Sequence, residues 1–320
     1  MPQQGGIGGH PRDFPHSSLP GECAFPCRTP YYSRGRRAGR ILRGRLYVRP
    51  NLLTNGAQRP SRVPAPLPLS VVIVAKNEAA ALPRCLASVR GWTAEIVVAL
   101  NDTTDASETI SREAGARVHR LPWQGYRDTK NAALELAGQD WILSLDADES
   151  VSAELRGALE TFFGRADRDR HAGARFPRRV WFINRWILHG DWYPDLSLRL
   201  LRRGRARWGG DAFVHEKVEC DGPVAALDGD LLHHPYSSIG AHHLKILEYA
   251  RLFADKEVAA GRSRSPVAAA FRPAWRFFRA YVLRRGFLDG FPGFVAASAT
   301  AYYTFLRYAC LYERLHRSDG

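Results

Sequence analysis

The chain lacks a long apolar run. In its 320 residues the longest stretch without a charged side chain is residues 290–306, which contain Pro292, Gly293 and Ser298. A membrane-spanning helix needs about 20 predominantly apolar residues, so the sequence predicts no transmembrane segment. No apolar core follows a basic start either, and we therefore expect no secretory leader.

Cysteine is scarce and widely spaced. There are five cysteines, and only Cys23 and Cys27 lie close together, with no second Cys or His pair at zinc-site spacing beside them. This pattern favours neither a disulfide framework nor a structural zinc site. A reduced, cytoplasmic environment fits it best.

Acidic residues are nearly missing from the first fifth of the chain. Residues 1–66 contain eleven arginines and no lysine against Asp13 and Glu22, so they carry +9 of the net charge of +14. The segment is rich in Gly and Pro and has no periodicity, which is typical of a disordered basic arm. It either contacts RNA or anionic lipid, or is a tail or over-extended start without a specific role. We favour the second interpretation. The remaining residues carry +5, which is enough for binding phosphorylated substrates or an anionic membrane and does not require nucleic acid.

A regular alternation of apolar runs and helical patterns begins at Leu67. Val/Ile/Leu-rich runs predict buried strands, with short helices between them, at residues 69–75, 95–100, 117–121 and 141–145. Strands of this composition that alternate with helices indicate an α/β fold, with a mostly parallel, Rossmann-like sheet covered on both faces.

Polar clusters follow three of these runs: Lys76-Asn77-Glu78, Asn101-Asp102-Thr103 and Asp146-Ala147-Asp148. Because the carboxyl ends of parallel strands meet at one edge of a sheet, the clusters predict a common pocket of the kind that binds nucleotides.

Asp146 and Asp148 close a strongly apolar run, residues 141–145. Two carboxylates at i and i+2 on an extended chain point to the same side, and oxygen ligands suit Mg²⁺ or Mn²⁺ bound together with a substrate diphosphate. The alternative is an acidic turn, with Glu149 and Ser150 starting the next helix. The convergence of the three polar clusters favours the cation site.

The pattern changes after residue 150. Residues 151–240 combine a helix with aromatic, β-leaning segments, and residues 241–320 are mainly helical. The segment 271–316 mixes Phe, Tyr and Trp with many arginines. That composition suits a surface lying against anionic lipid, and a packed helical subdomain is the competing interpretation.

With these residues in view, the chain resembles the inverting family 2 glycosyltransferases of the GT-A fold. The shared motifs of the first half are SVVIVAKNE at 70–78, TTD at 103–105, KNA at 130–132 and WILSLDADE at 141–149. A more specific set resembles the lipopolysaccharide core β-1,4-glucosyltransferase subgroup: HGDWYPD at 189–195, LRLLRR at 198–203, VHE at 214–216 and GFLDG at 286–290. The resemblance covers roughly residues 67–315. It implies a catalytic domain over 67–240, with a nucleotide-binding half (67–150) and an acceptor half (151–240).

The resemblance implies a role for the acidic residues in transfer from a nucleotide sugar. Asp148 is the expected principal metal ligand, and Asp146 is a ribose or second metal contact. His233 either completes the metal shell or is a structural hydrogen-bonding group. Glu216 is the first candidate for the base that deprotonates the acceptor, and Asp195 is the second. The alternative for Glu216 is a surface acid.

Other candidates would contact the donor. Lys130 and Arg199 are expected at the diphosphate, although either residue also fits a solvated charge. The nucleotide pocket would be lined by Asn77, Glu78, Asn101, Asp102 and Asp105. One position departs from the family, since Leu100 stands where an Asp usually helps to hold the base; Asn101 still offers a donor and an acceptor to a base edge.

The partners implied are a nucleotide-sugar donor, with a UDP-sugar as the first choice, and a glycan or glycolipid acceptor. Peripheral contact with the inner face of the cytoplasmic membrane would bring the enzyme to such an acceptor. The alternatives are transfer to a polyprenyl phosphate and a non-catalytic sugar-binding homologue. A nucleic-acid-binding protein is disfavoured, because no RNA-binding signature accompanies the basic arm.

Overall fold

The computed structural model describes residues 65–211, 215–265 and 267–317. The arm predicted at 1–66 therefore lies outside the described residues, apart from its last two positions.

The first half of the fold is a parallel sheet with helical crossovers. Its elements are β1 (Leu67–Ala75), α1 (Leu82–Val89), β2 (Thr93–Leu100), α2 (Ser107–Glu113), β3 (Arg117–Arg120), α3 (Tyr126–Glu135) and β4 (Trp141–Asp146). The strand order is β3-β2-β1-β4, and all three pairings are parallel. The four predicted strands and the α/β class are confirmed. The carboxyl ends of β1, β2 and β4 lie side by side, with Ala75 paired to Leu100 and Val74 to Asp146.

The second half extends this sheet with mostly short strands. Its elements are β5 (Glu149–Val151), α4 (Ala153–Phe163), a 3₁₀ turn (Arg168–Arg170), β6 (Gly173–Phe182), β7 (Arg185–Trp186), β8 (Asp195–Arg202), β9 (Ala206–Asp211), β10 (His215–Cys220), β11 (Val224–Ala226) and β12 (Leu231–His233). The order continues β4-β8-β6-β12-β5, with β8 antiparallel to both of its neighbours. Strands β9 and β10 form a separate antiparallel hairpin.

The segment directly after Asp148 is a strand. The alternative in which Glu149 and Ser150 start a helix is wrong, because both lie in β5 and pair with β12. Ser152 then caps α4, its hydroxyl accepting a hydrogen bond from the amide of Leu155. The chain therefore doubles back at Ala147–Asp148, and this reversal brings Asp148 close to the end of β12.

Side chains of the central strands alternate between two apolar layers. Val71, Ile73 and Leu143 pack on one face with α1 and α4. Val72, Val97 and Ile142 pack on the other face, with α3 and the hairpin. These residues are almost completely buried, and truncation of one of the larger of them to Ala costs about 2–5 kcal/mol. The core thus holds the ends of the strands rigidly.

Three helices complete the described chain: α5 (Ile239–Ala259), α6 (Val267–Phe278) and α7 (Gly290–His316). A π-helical turn (Arg279–Leu283) and a 3₁₀ turn (Gly286–Asp289) connect α6 to α7. Helix α5 packs on α7 through Ile246 and Ala250 on one side and Leu306 and Leu311 on the other. Within the described residues, none of the helices combines the length and the apolarity needed to span a bilayer.

Two buried aspartates join these helices to the rest of the fold. The carboxylate of Asp191 lies 3.2–3.3 Å from the guanidinium groups of Arg276, Arg279 and Arg284. Asp289 accepts hydrogen bonds from the backbone amides of Leu188 and His189, at 3.0 and 2.8 Å. The loop that precedes β8 is therefore fixed against the helical region by charge as well as by packing.

Candidate active site

The ends of β1 and β2 are joined by Asn77 and Asp105. Asn77 has a left-handed backbone (φ 54°), and its amide oxygen accepts a hydrogen bond from the amide of Thr104 at 2.8 Å. Asp105 accepts one from the amide of Ala79 at 2.9 Å and one from that of Ser107 at 3.0 Å. Burial acts to raise the pKa of Asp105, but the hydrogen bond donated by the Ser107 hydroxyl and those from the two amides outweigh it and lower the pKa. Both side chains thus link the loops that follow β1 and β2.

The remaining predicted nucleotide contacts lie along the same edge. Asn101 is 2% exposed, whereas the side chain of Asp102 is 61% exposed and forms an ion pair with Lys76 at 3.4 Å. Glu78 is half-buried, and its pKa is raised to about 7, first by burial and then by the carboxylates of Asp148 and Asp105. Glu78 therefore lies within the electrostatic influence of the carboxylates at this edge of the sheet.

Asp146 is held between two cations. Its Oδ1 lies 3.2 Å from Nζ of Lys130, and Nη2 of Arg199 donates a 2.6 Å hydrogen bond to its Oδ2. Burial opposes ionisation of this carboxyl, but Arg199 and Lys130 outweigh burial and hold its pKa below the ordinary range. The structure brings all three predicted residues together, with both Asp146 oxygens engaged by protein cations.

The ion network continues through a residue that the sequence analysis did not assign to the site. Glu149 is 1% exposed; one of its oxygens accepts hydrogen bonds from Arg199 at 2.8 Å and Arg178 at 3.2 Å. Its other oxygen accepts one from the amide of Asp146 at 3.0 Å. Glu149 thus orients both the cations and the turn that carries Asp148. The sequence feature that could have identified Glu149 is its position immediately after Asp148.

Arg178 links this network to Asp195. Its Nε and Nη2 donate to one carboxylate oxygen of Asp195, at 2.9 and 2.7 Å. Arg178 lies in the middle of β6 and is 3% exposed. No motif marked it among the other arginines of that strand. The second candidate base is therefore bound to a buried cation.

Asp148 and His233 form the part of the site with unfulfilled bonding capacity. Oδ2 of Asp148 lies 3.2 Å from Nε2 of His233, and the two residues are 4% and 0% exposed. Among the described residues, no group completes a well-aligned hydrogen bond to either carboxylate oxygen or either ring nitrogen. Burial acts to raise the pKa of Asp148, but His233 outweighs it and lowers the pKa.

Unsatisfied buried polar groups require an explanation, and a bound ion is one. A carboxylate oxygen and an imidazole nitrogen are both suitable ligands for a divalent transition metal. The described residues contain no group of three His, Cys, Asp or Glu side chains that could hold a metal by themselves. The pair thus fits a divalent cation that takes its other ligands from water and substrate.

The β9–β10 hairpin is fixed over this network by Trp208 and Asn131. The Trp208 ring has Nζ of Lys130 at 4.3 Å from its centroid and the Arg199 guanidinium at 5.3 Å. The side-chain amide of Asn131 donates to the carbonyl of Trp208 at 2.8 Å and accepts from its amide at 2.9 Å. The cations that hold Asp146 are therefore covered by the hairpin.

Glu216, the first candidate base, lies on that hairpin. It pairs with Gly210 in the β9–β10 ladder, and its side chain lies outside what the structure describes. Arg127 donates a hydrogen bond to the carbonyl of Gly210 at 3.3 Å, which is a further contact between α3 and the hairpin. The catalytic roles of Glu216 and Asp195 stay predictions, as do the ligand roles of the other candidates.

Known proteins with similar sequences cover most of this chain. The family model for glycosyl transferase family 2 matches residues 70–218. A lipopolysaccharide core biosynthesis glycosyltransferase, LpsC of Rhizobium meliloti, is 33% identical over 254 residues, 78% of this chain and 93% of that protein. An uncharacterized glycosyltransferase of Rickettsia felis is 32% identical over 79% of this chain and 92% of its own length.

Solved structures are more distant. Residues 1–349 of S. aureus TarS, in complex with UDP-GlcNAc, align with a TM-score of 0.39 at 12% identity, covering 79% of this chain and 93% of that one. The mannosyltransferase PcManGT from Pyrobaculum calidifontis, in complex with GDP-Man and Mn²⁺, gives 0.40 at 14% identity, covering 82% and 80%. Both scores are low, so the assignment rests on the sequence relatives. The two relatives match this chain over 93% and 92% of their own lengths, and the family model spans the strand-end motifs. The chain therefore belongs to glycosyltransferase family 2.

Proposed function

We propose that the protein is a metal-dependent, inverting hexosyltransferase that moves a hexose from a nucleotide sugar to a lipopolysaccharide-core-type or related cell-envelope glycan. The observation that carries this proposal is the buried Asp148–His233 pair, whose side-chain polar atoms lack well-aligned hydrogen-bond partners among the described residues. The pair lies beside the carboxyl ends of β1 and β4, where sheets of this type bind nucleotides.

Asp148 and His233 would hold the cation, Mg²⁺ or Mn²⁺. When bound, such a cation stabilises the negative charge that develops on the leaving diphosphate. Asp146 would act next to it as a permanent anion, because its low pKa keeps it ionised. We propose Asp146 as a secondary metal contact after Asp148, since Lys130 and Arg199 already contact both of its oxygens.

Lys130 and Arg199, which both contact the Asp146 carboxylate, would face the diphosphate. A compact ammonium and a forked guanidinium are the usual partners of phosphate oxygens. Their buried positions, with Trp208 against both, reduce the screening of their charge by water. Lys130 is paired with Asp146, and Arg199 with Asp146 and Glu149, which limits the cost of burying the two cations before the donor binds.

The acceptor hydroxyl would lose its proton to Glu216 as its oxygen attacks the anomeric carbon. In this single displacement the new C–O bond forms while the bond to the diphosphate breaks, so the configuration at that carbon inverts. No covalent enzyme intermediate is needed. Asp195 is the second candidate base, and Arg178 holds its carboxylate in place through two hydrogen bonds.

The nucleotide would lie along the ends of β1 and β2. Asn101 is the proposed contact to the base, since Leu100 occupies the position where the family usually has an Asp. Asn77 and Asp105 would act by bracing the wall, while Glu78 and Asp102 line the same edge. We take a UDP-sugar as the first donor to test. The identity of LpsC as a lipopolysaccharide core biosynthesis enzyme supports the acceptor class.

The test is a thermal-unfolding panel of nucleotides and nucleotide sugars with and without Mn²⁺. A ligand present at about 100 times its Kd stabilises a protein by about 2.7 kcal/mol, which raises the Tm of a domain of this size by about 5–10 °C. Asp148→Asn should abolish the shift that requires Mn²⁺, whereas Glu160→Gln, an exposed acid on α4, should retain it. If no nucleotide or nucleotide sugar stabilises the wild type in the presence of metal, the proposal is wrong.

A further inference from the structure

Helix α6 presents an apolar stripe to the outside of the fold. None of its residues is buried, and Phe271, Trp275 and Phe278 are 71%, 52% and 45% exposed. Their spacing of i, i+4 and i+7 places them on one helical face, and Val267 and Val282 extend the same stripe at either end. The opposite side packs on α7, with Phe277 against Phe294 at 5.7 Å between ring centroids.

The turns that connect α6 to α7 continue this surface. Leu283, Phe287, Leu288 and Phe291 are 47–70% exposed. Ring contacts at 5.3–6.3 Å run without interruption from α6 to the start of α7 through Phe277, Tyr281, Phe287, Phe294 and Phe291. We call the exposed apolar side chains of residues 267–291 the aromatic surface. Contiguous apolar areas of this kind mark interaction sites.

The exposed charge around the aromatic surface is positive. Residues 258–288 contain seven arginines and no lysine, aspartate or glutamate, and two of these arginines, Arg262 and Arg264, are paired with the buried Glu257 that precedes the segment. Arg276, Arg279 and Arg284 share the single carboxylate of Asp191, so positive charge remains in excess there. Arg285 is exposed as well, beside Leu283 and Phe287.

We infer that the aromatic surface docks on an anionic phospholipid bilayer, with α6 lying in the plane of the interface. Amphipathic helices that do so bury aromatic side chains at the headgroup level and keep cations beside the lipid phosphates. A protein partner would have to match a patch without any exposed acidic group. The charge complementarity therefore favours lipid.

Docking would bring the acceptor half to the membrane. Asp191, which the arginines of this region hold, lies four residues before Asp195 on the same loop and strand. The purpose of docking, delivery of a lipid-linked glycan acceptor, rests on the proposed function. Lipid binding itself does not depend on that function.

The test is flotation of the full-length protein with phosphatidylcholine vesicles and with vesicles in which phosphatidylglycerol replaces part of the phosphatidylcholine. The wild type should float with the anionic vesicles only, and less so as salt is raised. Replacing Phe271, Trp275 and Phe278 together by Ser should lower the apparent vesicle affinity about 100-fold. Arg272→Gln with Arg285→Gln should lower it about tenfold and reduce the salt dependence.

A matched control replaces exposed apolar residues elsewhere in the helical region. Leu244 and Leu315 are 72% and 41% exposed, and their replacement by Ser should leave flotation unchanged. Equal loss in this control, flotation that does not require anionic lipid, or no flotation of the wild type would overturn the inference. So would a concentration-dependent dimer that the Phe271, Trp275 and Phe278 substitutions abolish, since the surface would then join two copies of the chain.

Donor binding is measured on the same samples. The triple Ser variant should keep the Mn²⁺-dependent shift with the nucleotide that stabilises the wild type, because its altered side chains are exposed and lie outside the pocket. A wild type that binds nucleotide but not vesicles contradicts docking alone. A wild type that binds vesicles but no nucleotide contradicts the proposed function alone.

Discussion

Nε2 of His233 lies 3.2 Å from Oδ2 of Asp148, although the two residues are 85 positions apart in a chain that reverses direction between them. The ladder of β12 with β5 enforces this approach, because His233 pairs with Glu149, the residue next to Asp148. The backbone amide of His234 also donates to the carbonyl of Asp148 at 3.0 Å. A ligand pair is thus built on two strands of a rigid sheet, which suits a site that has to hold a cation in fixed geometry.

Replacing His233 by Ala should lower the affinity for the cation at least about tenfold, since it removes one of two proposed protein ligands. The measurement is the Mn²⁺ concentration that gives half-maximal nucleotide binding in a calorimetric titration. His234→Ala is the matched control, because the neighbouring ring stacks on Trp181 and packs at 5.0 Å from Trp186. An unchanged Mn²⁺ requirement in the His233 variant would remove His233 from the metal site.

Glu149→Gln should destabilise the protein by about 3–5 kcal/mol, because it leaves Arg199 and Arg178 buried with one fewer counter-charge. The check is the free energy of unfolding by urea. Glu160→Gln, which alters an exposed i,i+4 pair with Arg156, should change it by less than about 0.5 kcal/mol. A similar effect of the two substitutions would mean that the buried ion network does not stabilise the fold.

The sequence predicted the first half of this site better than the second. The strand ends that carry Asn77, Asn101 and Asp146 follow from uninterrupted apolar runs, since such runs form buried parallel strands with aligned ends. The contacts of Arg178 could not be foreseen, because Arg175 and Arg179 look equivalent to it in the sequence. Only the pairing of β6 with β8 and β12 places it between Glu149 and Asp195.

The contacts of Asp146 could not be predicted either, because they also depend on residues that are distant in the sequence. An Asp-x-Asp pattern at a strand end predicts two metal ligands, but the pattern does not contain the cations that contact the first of them. Lys130 comes from α3 and Arg199 from β8, and the register of β8 on β4 is not visible in local sequence. The short β5, too short to be recognised by alternation, was likewise missed as a strand.

Glu78 should make stability depend on pH in an identifiable way. Its pKa is about 7 in the folded protein against an ordinary value of 4.5, so between these values the folded state binds more protons than the unfolded state. Stability from this group is therefore fully present below pH 4.5 and is lost as the pH rises through 7. As the pH rises from 4.5 to 7, the metal-free wild type should therefore become less stable relative to metal-free Glu78→Gln. The measurement is the difference between their free energies of unfolding.

A second titrating group makes the difference measurement necessary. Burial lowers the pKa of His242 to about 4 from 6.5, so its contribution to stability is lost as the pH falls below 6.5. The two effects oppose each other in the wild type alone, whereas subtraction of the Glu78→Gln curve isolates Glu78. A difference that is flat from pH 4.5 to 7 would contradict the raised pKa.

Asn131 should set the position of the hairpin that carries Glu216. Its side chain makes two hydrogen bonds to the backbone of Trp208, and Asn131→Ala would break both while leaving the Asp148–His233 pair intact. Small displacements of a reacting group can cost up to about 100-fold in rate, so we expect kcat for transfer to fall about tenfold or more, with the Kd of the donor nucleotide nearly unchanged. The kcat is measured at saturating donor and the Kd by calorimetry, with the Asn131 variant compared to Glu160→Gln. If donor affinity falls as much as kcat does, Asn131 acts on the nucleotide pocket and not on the hairpin.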